Sequence, residues 1–343
     1  MIKMYIVIAS VVAATFILDS SYATTQIPVA KIVVEMDQRP GNPSMTPDGQ
    51  LLISMHPHDD PEVKLVSLNK QAKLEVFPND ELGKGDQALI KAAIAIRTDD
   101  KGIAWILDFV THRFVAWDTR EKKLVREIKI PQSVLKPTSF LQDFALDQKR
   151  HRAIIADMTQ IDLKSDPIPA FVVVDLKTGK AKRMAEKHPS LMPEKKGGLA
   201  LNPITISPDY ETVYFGPMHG RTLYQVPADS FNGNTSQVTE NITVYGPKPY
   251  SDGISIDHDG NVYITDIENN VLGVTTSLGY TQIASLPKGQ SWPDGLSFGP
   301  DGYVYATVNQ MDRSSALNNG IEEGKKPYMV VKIKGLAKSS TGR

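Results

Sequence analysis

Residues 254–265 read ISIDHDGNVYIT, and this stretch is the clearest indication of the fold. Isoleucine alternates with serine up to Ile256, Asp257 to Gly260 supply turn residues, and a run rich in β-branched and aromatic residues follows. Glycine adopts the positive φ of a tight turn without a steric penalty, while β-branched and aromatic side chains suit the flanking strands. We therefore predict a β-hairpin over these residues.

Five other segments repeat this order of a β-rich run, a turn rich in Asp, Gly or Lys, and a second β-rich run. They span residues 44–55, 93–107, 144–156, 204–215 and 296–307. Recurrence about every 40 to 60 residues is typical of propellers and solenoids. Further strand candidates bring each unit to about four strands, and helical periodicity is missing beyond the first residues. The sequence thus predicts an all-β, six-bladed β-propeller, in which radial closure leaves only short sheet edges.

The last repeat lacks one strand, and the chain has one extra strand candidate before the first repeat. The last unit has three evident strands, whereas residues 31–36 form an isolated strand candidate before the first hairpin. Val33 and Val34 suit such a strand because they are β-branched. We predict that this early segment pairs into the last blade and joins the two ends of the ring.

The first 23 residues have the composition of an export signal. Lys3 gives the positive start, residues 5–18 form a short apolar core, and Ser21 and Ala23 offer small residues for cleavage. An uncleaved membrane anchor is the alternative, but the apolar run is shorter than the roughly 20 residues that a spanning helix needs. We expect a signal peptide over residues 1–23, a single propeller domain over residues 24–343, and a secreted or periplasmic protein without stable membrane association.

Composition excludes several classes of protein. The chain has no cysteine, so disulfides, thiolate metal sites and a cysteine nucleophile are ruled out. Its 38 basic and 39 acidic residues nearly balance, whereas a nucleic-acid partner normally requires a basic face. We therefore expect a small-molecule ligand and no nucleic-acid partner.

The geometry of an antiparallel blade predicts where polar residues meet. Its first strand begins, and its second strand ends, on the same side of the disc, so these junctions all face one mouth of the channel. Polar residues occupy them: Asn42, Asp143, Asn202, Asp252 and Asp294 near the starts of first strands, and His56, Asp108, Asp157, His219, Asp266, Glu268 and Asn309 after second strands. Crowded carboxylates indicate a hard-metal site, a pocket for a protonated amine, or a site of proton transfer. For any one aspartate the alternative is structural, because its carboxylate can bond neighbouring backbone amides.

Several phrases resemble the major royal jelly and yellow protein family in the form of its bacterial members. They are LQDFALD (141–147), HPS (188–190), YFGP (214–217), SDG (251–253), TDIENN (265–270), SWPD (291–294) and TVNQ (307–310). The resemblance runs from about residue 90 to about residue 335 and implies a six-bladed propeller. It leaves the activity open, because the family includes binders of small aromatic amines, nutritive secreted proteins and proteins credited with dopachrome conversion.

A more distant resemblance is to the gluconolactonase and regucalcin group of six-bladed propellers. That group holds a divalent cation at the channel mouth on carboxylate and amide oxygens. The resemblance implies Asn202 and Asp252 as metal ligands and a cation such as calcium as cofactor. Asn42 stands where the group has a glutamate, so one charged ligand is missing.

The predicted site draws on both arguments. Asp252 and Asp294 each precede a glycine, which lets backbone come close to a ligand, and Asp143 belongs to a phrase shared with the family. Trp292 is near enough to Asp294 to form an aromatic wall for a cationic ligand, and His188 lies in a loop that can close over the mouth as an acid or base. For these two residues the alternatives are packing between blades and capping of a blade. The predicted catalytic residues are Asp143, Asp294 and His188, and the predicted ligand-binding residues are Asn42, Asp252, Glu268, Trp292 and Asn309.

These observations favour one function and leave two alternatives. The favoured function is an exported propeller that binds a small polar or aromatic molecule, such as a catechol or amine, at the acidic mouth and isomerises it if it is an enzyme. The first alternative is metal-assisted lactone hydrolysis, with a cation on Asn202 and Asp252 polarising the carbonyl. The second is a carrier or interaction protein without catalysis.

Overall fold

The computed structural model describes residues 27–69 and 71–342, so the signal predicted over residues 1–23 lies outside the described residues. Strand β1 (Lys31–Met36) comes first. Blade 1 holds β2 (Pro40–Met45), β3 (Leu51–Met55), β4 (Leu65–Leu68) and β5 (Leu74–Val76), and blade 2 holds β6 (Ala93–Thr98), β7 (Ile103–Asp108), β8 (Arg113–Asp118) and β9 (Lys123–Lys129). Blade 3 holds β10 (Leu141–Asp147), β11 (Arg152–Asp157), β12 (Ala170–Asp175) and β13 (Ala181–Met184).

The second half of the chain continues the pattern. Blade 4 holds β14 (Leu201–Ile206), β15 (Thr212–Pro217), β16 (Thr222–Pro227) and β17 (Thr243–Pro247). Blade 5 holds β18 (Ser251–Ile256), β19 (Val262–Asp266), β20 (Val271–Thr276) and β21 (Gly279–Ser285), and blade 6 holds β22 (Pro293–Phe298), β23 (Tyr303–Val308), β24 (Tyr328–Lys334) and β1. Two short helices, α1 (Asp80–Gly83) and α2 (Thr235–Asn241), and the 3-10 turns Pro57–Asp59, Gln132–Val134, Pro189–Leu191, Ala228–Asn232 and Met311–Arg313 lie between strands.

The six sheets form a closed ring. First strands of successive blades contact one another around the axis, and β22 of blade 6 contacts β2 of blade 1. The ring confirms the six-bladed β-propeller that the sequence predicts. Within the described residues, no helix has the length and hydrophobicity to cross a membrane.

The predicted closure between the two ends of the array is also confirmed. β1 pairs antiparallel with β24, from Lys31 opposite Lys332 to Met36 opposite Tyr328. Just before β1, Val29 forms a parallel bridge to Ser285 at the end of blade 5. The early segment therefore completes the last blade and also contacts its neighbour.

Apolar side chains fill the spaces between blades. Phe171 of blade 3 makes edge-to-face contacts with Phe215 and Phe231 of blade 4, with ring centroids 4.9 and 5.2 Å apart. Phe114 and Phe144 join blades 2 and 3 in the same way at 5.0 Å. Each such pair stabilises by about 0.5–1.5 kcal/mol beyond the area that it buries, so neighbouring blades are fixed relative to one another.

Every first strand carries a register break close to its start. The breaks lie between Pro40 and Pro43, Ala93 and Ala95, Leu141 and Asp143, Leu201 and Ile204, Ser251 and Ile254, and Pro293 and Leu296. A bulge bends the strand locally and re-aims side chains, and such bulges concentrate near functional sites. The six breaks therefore place irregular backbone at one end of the channel, where the predicted site residues lie.

The opposite end of the channel is covered by residues 335–342. Leu336 N donates to the Tyr263 hydroxyl at 2.6 Å in blade 5, and Gly342 N donates to Phe298 O at 3.1 Å in blade 6. The Ser44 hydroxyl of blade 1 donates to Gly342 O at 3.5 Å. A cavity of about 10 Å³ remains between this segment and Arg97, which is room for about one water molecule.

Candidate binding site at the bulged end of the channel

The second residue of each first strand forms a ring around the bulged end. Asp252 and Asp294 are neighbours in this ring, and they are 8% and 5% exposed. Its members in blade order are Gly41, Ile94, Gln142, Asn202, Asp252 and Asp294. Asp143, the third residue of β10, lies one position further along its strand. We call Asp143, Asp252 and Asp294 the carboxylate cluster.

Asp252 is held by two neutral donors. The Asn202 amide Nδ2 donates to Asp252 Oδ1 at 2.7 Å, and the Trp292 indole Nε1 donates to Asp252 Oδ2 at 2.7 Å. Trp292 is itself held in the left-handed region, at φ 56°, by a hydrogen bond from its backbone N–H to Asn270 Oδ1 at 2.9 Å. That backbone conformation costs a non-glycine residue about 1–2 kcal/mol, so the surrounding structure fixes the indole against the carboxylate.

Among the described residues, the side chain of Asp294 has one side-chain donor, Nδ2 of Asn309, which lies 2.6 Å from its Oδ2. The backbone around it is tightly packed, because a Cβ on Gly253 would lie 2.2 Å from the Asp294 carbonyl oxygen. A Cβ on Gly295 would likewise lie 2.0 Å from Asn42 Oδ1. The glycine after each aspartate is therefore needed for the first strands of blades 5, 6 and 1 to approach one another.

Asp143 differs from the other two because it has a cationic partner. Arg97 of blade 2 donates from Nη2 to both carboxylate oxygens of Asp143, at 2.8 and 2.6 Å, and the two side chains are 6% and 4% exposed. Phe144 N adds a third hydrogen bond, at 2.8 Å. The sequence argument missed Arg97; the available signal was a single charged residue in the apolar run AIAIRT of β6.

Burial raises the pKa of all three carboxyl groups. The pKa of Asp143 rises to about 6, although Arg97 opposes the shift. The pKa of Asp252 also rises to about 6 against the hydrogen bonds from Trp292 and Asn202. Burial, together with repulsion from Asp252 and Asp143, raises the pKa of Asp294 well above its usual range. Near neutral pH, Asp143 is thus paired with Arg97, whereas Asp252 is ionised without a cationic partner among the described residues.

An apolar layer explains why these groups are so dry. One contiguous cluster of buried side chains includes residues that precede first strands or follow second strands in blades 2 to 6. We call the following set the apolar layer: Phe109, Phe140, Met158, Met218, Ile267, Trp292 and Met311. The sequence predicts an acidic channel mouth but gives no sign of this layer, which lies at the end where the carboxylates lie.

The loop between β23 and β24, residues 309–327, contributes Met311 to the layer and is anchored by Arg39. This buried guanidinium donates to the carbonyl oxygens of Asn309 and Gln310, the latter at 2.9 Å, and to Glu322 at 3.0 Å. It also donates to Asp59 at 3.0 Å. The loop is therefore fixed at its start and near its end by one side chain.

Two buried amide oxygens beside the channel at this end lack a donor among the described residues. They are Oε1 of Gln142, a member of the ring, and Oδ1 of Asn309, whose Nδ2 is bonded to Asp294. An unpaired buried acceptor costs about 1–3 kcal/mol. Both atoms accept and neither donates, so the site is complementary to a molecule that brings N–H or O–H groups.

Three other predicted residues, Asn42, Glu268 and His188, have hydrogen-bond or ion-pair partners outside the carboxylate cluster. Asn42 uses its Nδ2 to donate to Ile94 O at 3.0 Å, which ties blade 1 to blade 2. Glu268 forms an ion pair with Arg221 and accepts from Tyr250 N at 3.2 Å, and although burial opposes it, the Arg221 hydrogen bond lowers the pKa of Glu268. His188 caps the 3-10 turn Pro189–Leu191 through Ser190, and burial lowers its pKa. Glu268 and His188 thus have structural partners of their own.

Aspartates at the ends of second strands have the structural role that the sequence argument kept as the alternative. Asp108 accepts from the backbone N–H groups of Lys91, Val110 and Thr111, at 2.8, 3.1 and 3.1 Å. Asp266 accepts in the same way from Glu268 N and Asn269 N, at 3.1 and 3.0 Å. These carboxylates fix turns, whereas the carboxylate cluster faces other side chains.

The family follows from a match over most of the chain. Residues 92–341 match the model of the family described as Major royal jelly protein. The chain belongs to that family. The match includes the carboxylate cluster, Arg97 and Trp292, while Asn42 precedes it. A search of curated protein sequences found no significant match.

Solved structures share the fold of this family member at low identity. A calcium-binding protein, regucalcin from Agrobacterium tumefaciens, is 15% identical with a TM-score of 0.62, covering 92% of this chain and 98% of that one. A luciferin-regenerating enzyme has the same identity and coverage, with a TM-score of 0.65. A gluconolactonase from Xanthomonas campestris is 12% identical, covers 88% of each chain and has a TM-score of 0.59. At these identities the similarity shows the six-bladed fold alone.

The side chains around Asn202 and Asp252 do not provide what a divalent cation requires. Asn202 and Asp252, the predicted metal ligands, do lie together, but both oxygens of Asp252 already accept N–H donors. In residues 27–69 and 71–342, no three Asp, Glu or His side chains come close enough to hold a metal ion. Hard cations take about six to eight oxygen ligands. The residues present therefore do not fit a divalent cation as well as they fit a donor of N–H groups.

The raised pKa of Asp252 predicts a distinctive dependence of stability on pH. An unfolded aspartate titrates at about pH 4, and Asp252 in the folded protein titrates at about 6. Between these values the folded protein holds a proton that the unfolded chain has released, so this group makes the wild type less stable as the pH rises. We expect the free energy of unfolding of Asp252→Asn, relative to wild type, to rise by about 3 kcal/mol between about pH 4 and about pH 7 in urea titrations.

A control variant, Asp162→Asn, should show the opposite dependence of relative stability on pH. Hydrogen bonds from Ser165 lower the pKa of the exposed Asp162 to about 2, so this group stabilises the wild type as the pH rises. The relative stability of Asp162→Asn should therefore fall between about pH 2 and about pH 4 and stay nearly constant between about pH 4 and about pH 7, where that of Asp252→Asn rises. Parallel curves for wild type and Asp252→Asn would show that Asp252 is not desolvated as described.

Proposed function

We propose that the protein binds a small monovalent organic cation, a protonated amine on an apolar or aromatic body, at the carboxylate cluster. The observation that carries the proposal is the charge of Asp252, which is buried, ionised near neutral pH and bonded only to the neutral donors Asn202 and Trp292 among the described residues. An unpaired buried charge is costly, and a cationic ligand removes that cost.

The polar chemistry of the site favours an amine over a metal ion. A protonated amine has one positive charge, which matches the unpaired negative charge of Asp252. It also brings N–H donors for the free acceptors Gln142 Oε1 and Asn309 Oδ1. A divalent cation would instead need about six to eight oxygen ligands, and no three Asp, Glu or His side chains of the described residues come close enough together to hold one.

The apolar chemistry favours an aromatic body on that amine. Trp292 stands directly beside Asp252, and three methionines, Met158, Met218 and Met311, belong to the layer above. Methionine sulfur interacts favourably with aromatic rings, and the flexible side chain adapts to the shape of a ligand. Membership of a family that includes binders of small aromatic amines agrees with this preference.

Proton transfer is the second candidate function, and one observation favours it. Asp143 and Asp252 both have a pKa of about 6, so each can gain and lose a proton near neutral pH. Tautomerisation of a bound catechol derivative requires such a group. Export, as predicted from residues 1–23, belongs to the same proposal, because small extracellular aromatic molecules would then be accessible to the protein.

Calorimetry with an aromatic amine tests the proposed binding. We expect phenethylamine to bind the wild type and to bind Asp252→Asn at least tenfold more weakly, because a charge-assisted hydrogen bond contributes about 1.5–3 kcal/mol. Ethylbenzene sulfonate, which has the opposite charge, should not bind at this site. Glu268→Gln is the matched control: it removes a carboxylate at the same end of the disc and should leave the affinity within about twofold.

Calcium, magnesium and zinc titrations separate the alternatives. Strong binding of one of these cations that is lost in Asp252→Ala would support metal-assisted lactone hydrolysis and contradict the amine proposal. If the amine binds, an optical assay of aminochrome conversion distinguishes an isomerase from a carrier, because the conversion should disappear in Asp252→Asn. Absence of amine binding to the wild type would refute the proposed function.

A further inference from the structure

A cavity lies between blades 2 and 3, at the end of the disc opposite the carboxylate cluster. Its volume is about 590 Å³, within the range of about 300–1,000 Å³ that small-molecule sites occupy. It is bounded by the turns between the first and second strands of blades 2, 3 and 4 and by strand β9 of blade 2. Tyr210 is the residue that blade 4 contributes. Because first hairpin turns lie opposite the strand starts, this cavity is separate from the carboxylate cluster.

The apolar lining contains a tryptophan that is held in place. Trp105 donates from Nε1 to Asp99 Oδ2 at 3.2 Å, and its ring makes an edge-to-face contact with Phe114 at 6.5 Å. Asp99 is fixed in turn by the backbone N–H groups of Lys101 and Ile103, at 3.0 and 2.8 Å. The half-buried indole is therefore preorganised, and Leu146, Leu176 and Tyr210 line the cavity with it.

Basic side chains surround this apolar surface. Lys101, Arg126, Lys149 and Lys177 line the cavity together with the acidic Asp99 and Asp100. Lys149 is paired with Glu211, and the carboxylate of Asp99 is already bonded to three N–H donors. The other three cations are Lys101, Arg126 and Lys177. In the described part of the chain, no carboxylate lies within ion-pair distance of any of them. The lining has an excess of positive charge.

Arg126 is the cation whose position is best defined. It extends from β9 of blade 2 and donates from Nη1 to the carbonyl oxygens of Leu176 and Lys177 in blade 3, the latter at 3.2 Å. These bonds hold the guanidinium across the gap between the blades while leaving the rest of its planar donor fork for a ligand. A planar guanidinium recognises carboxylate, sulfate or phosphate groups, and it also stacks on aromatic rings.

From this arrangement we infer a second binding site for an aromatic anion, a molecule that has a flat ring for the Trp105 surface and an acidic group for Arg126. The ligand chemistry is opposite to that of the carboxylate cluster. Apolar contact with the indole, Leu146 and Leu176 supplies affinity, and the basic side chains select the negative charge. The two ends of the disc thus have sites of opposite charge preference.

Fluorescence titration with naphthoate tests this site. We expect naphthoate to change the fluorescence of Trp105 on binding and the neutral naphthamide to bind at least tenfold more weakly. Arg126 is exposed on the outer strand β9, so Arg126→Gln should leave the fold intact. This variant should bind naphthoate at least tenfold more weakly and bind naphthamide with unchanged affinity. Arg113→Gln removes an arginine of the same blade that does not line the cavity, and it should leave both affinities unchanged.

Two further measurements keep the result independent of the fluorescence signal and of the first site. Equilibrium dialysis of Trp105→Phe should show weakened naphthoate binding, with folding checked by circular dichroism. Asp252→Asn should bind naphthoate as the wild type does, so failure of one site does not imply failure of the other. Equal affinities for naphthoate and naphthamide, or an Arg126→Gln variant that binds naphthoate normally, would overturn the inference.

Discussion

Replacing Arg97 by methionine is expected to lower the free energy of unfolding by about 3–5 kcal/mol, the usual cost of breaking a buried ion pair. The variant leaves Asp143 in the same dry site without the Nη2 donor that contacts both of its oxygens. Methionine is unbranched and apolar, so it fills much of the vacated space, and the loss reports on charge more than on packing. Urea unfolding near neutral pH measures the difference.

A second variant tests whether the loss of stability comes from leaving the Asp143 carboxylate buried without its cationic partner. Asp143→Leu in the Arg97→Met background removes the remaining charge, so the double variant should regain at least about 2 kcal/mol relative to Arg97→Met alone. Arg113→Met is the matched control. Its ion pair with Glu127, at 2.7 Å, is largely exposed, and its loss should cost less than about 1 kcal/mol. A cost for Arg97→Met as small as for this control would mean that the buried pair does not exist in solution.

The blades could be predicted from sequence because hairpins depend on local chemistry. Gly260 and Gly302 have the positive φ values that the predicted turns require, 84° and 72°. In blades 3 and 4 the turns lack that glycine, and His151 and Tyr210 adopt positive φ instead, at 51° and 64°. The repeat could still be recognised in these two blades because apolar residues alternate in the strands on either side of the turn.

The carboxylate cluster could be predicted because closing a ring brings equivalent positions together. Asp252 and Asp294 occupy the same position of successive first strands, and Asp143 is one residue further along. The sequence could not show which of them is neutralised. Arg97 crosses from one blade to the next, and contact between side chains of different blades has no signature in local periodicity.

For Glu268 and His188, the sequence could not predict where the side chain would point. Both lie in connections at the correct end of the disc, but the direction of a loop side chain depends on partners that the pattern does not name. Arg221 draws Glu268 into an ion pair, and Ser190 holds the imidazole of His188. The apolar layer escaped prediction for the same reason, since its members are single residues from separate connections.

Removing β1 should have the largest effect on the stability of the ring. A chain that begins at Arg39 loses Met36 and Ala30, which are 3% and 4% exposed, and the half-buried Val33 and Val34. Burial of these side chains contributes on the order of 4–6 kcal/mol, a large share of the stability of a typical domain. We expect a thermal midpoint lower by on the order of 10 °C than that of a chain that begins at Ile27.

The reason for so large an effect is the position of β1 rather than its length. It is the outer strand of blade 6, and the residues just before it, Val29 and Ala30, contact Ser285 of blade 5. Removing this segment exposes an edge of β24 and frees the junction between the two ends of the ring. A synthetic peptide of residues 27–38, added to the truncated protein, should restore the midpoint by pairing with that edge. If truncation leaves the midpoint unchanged, the contacts of β1 do not close the propeller in solution.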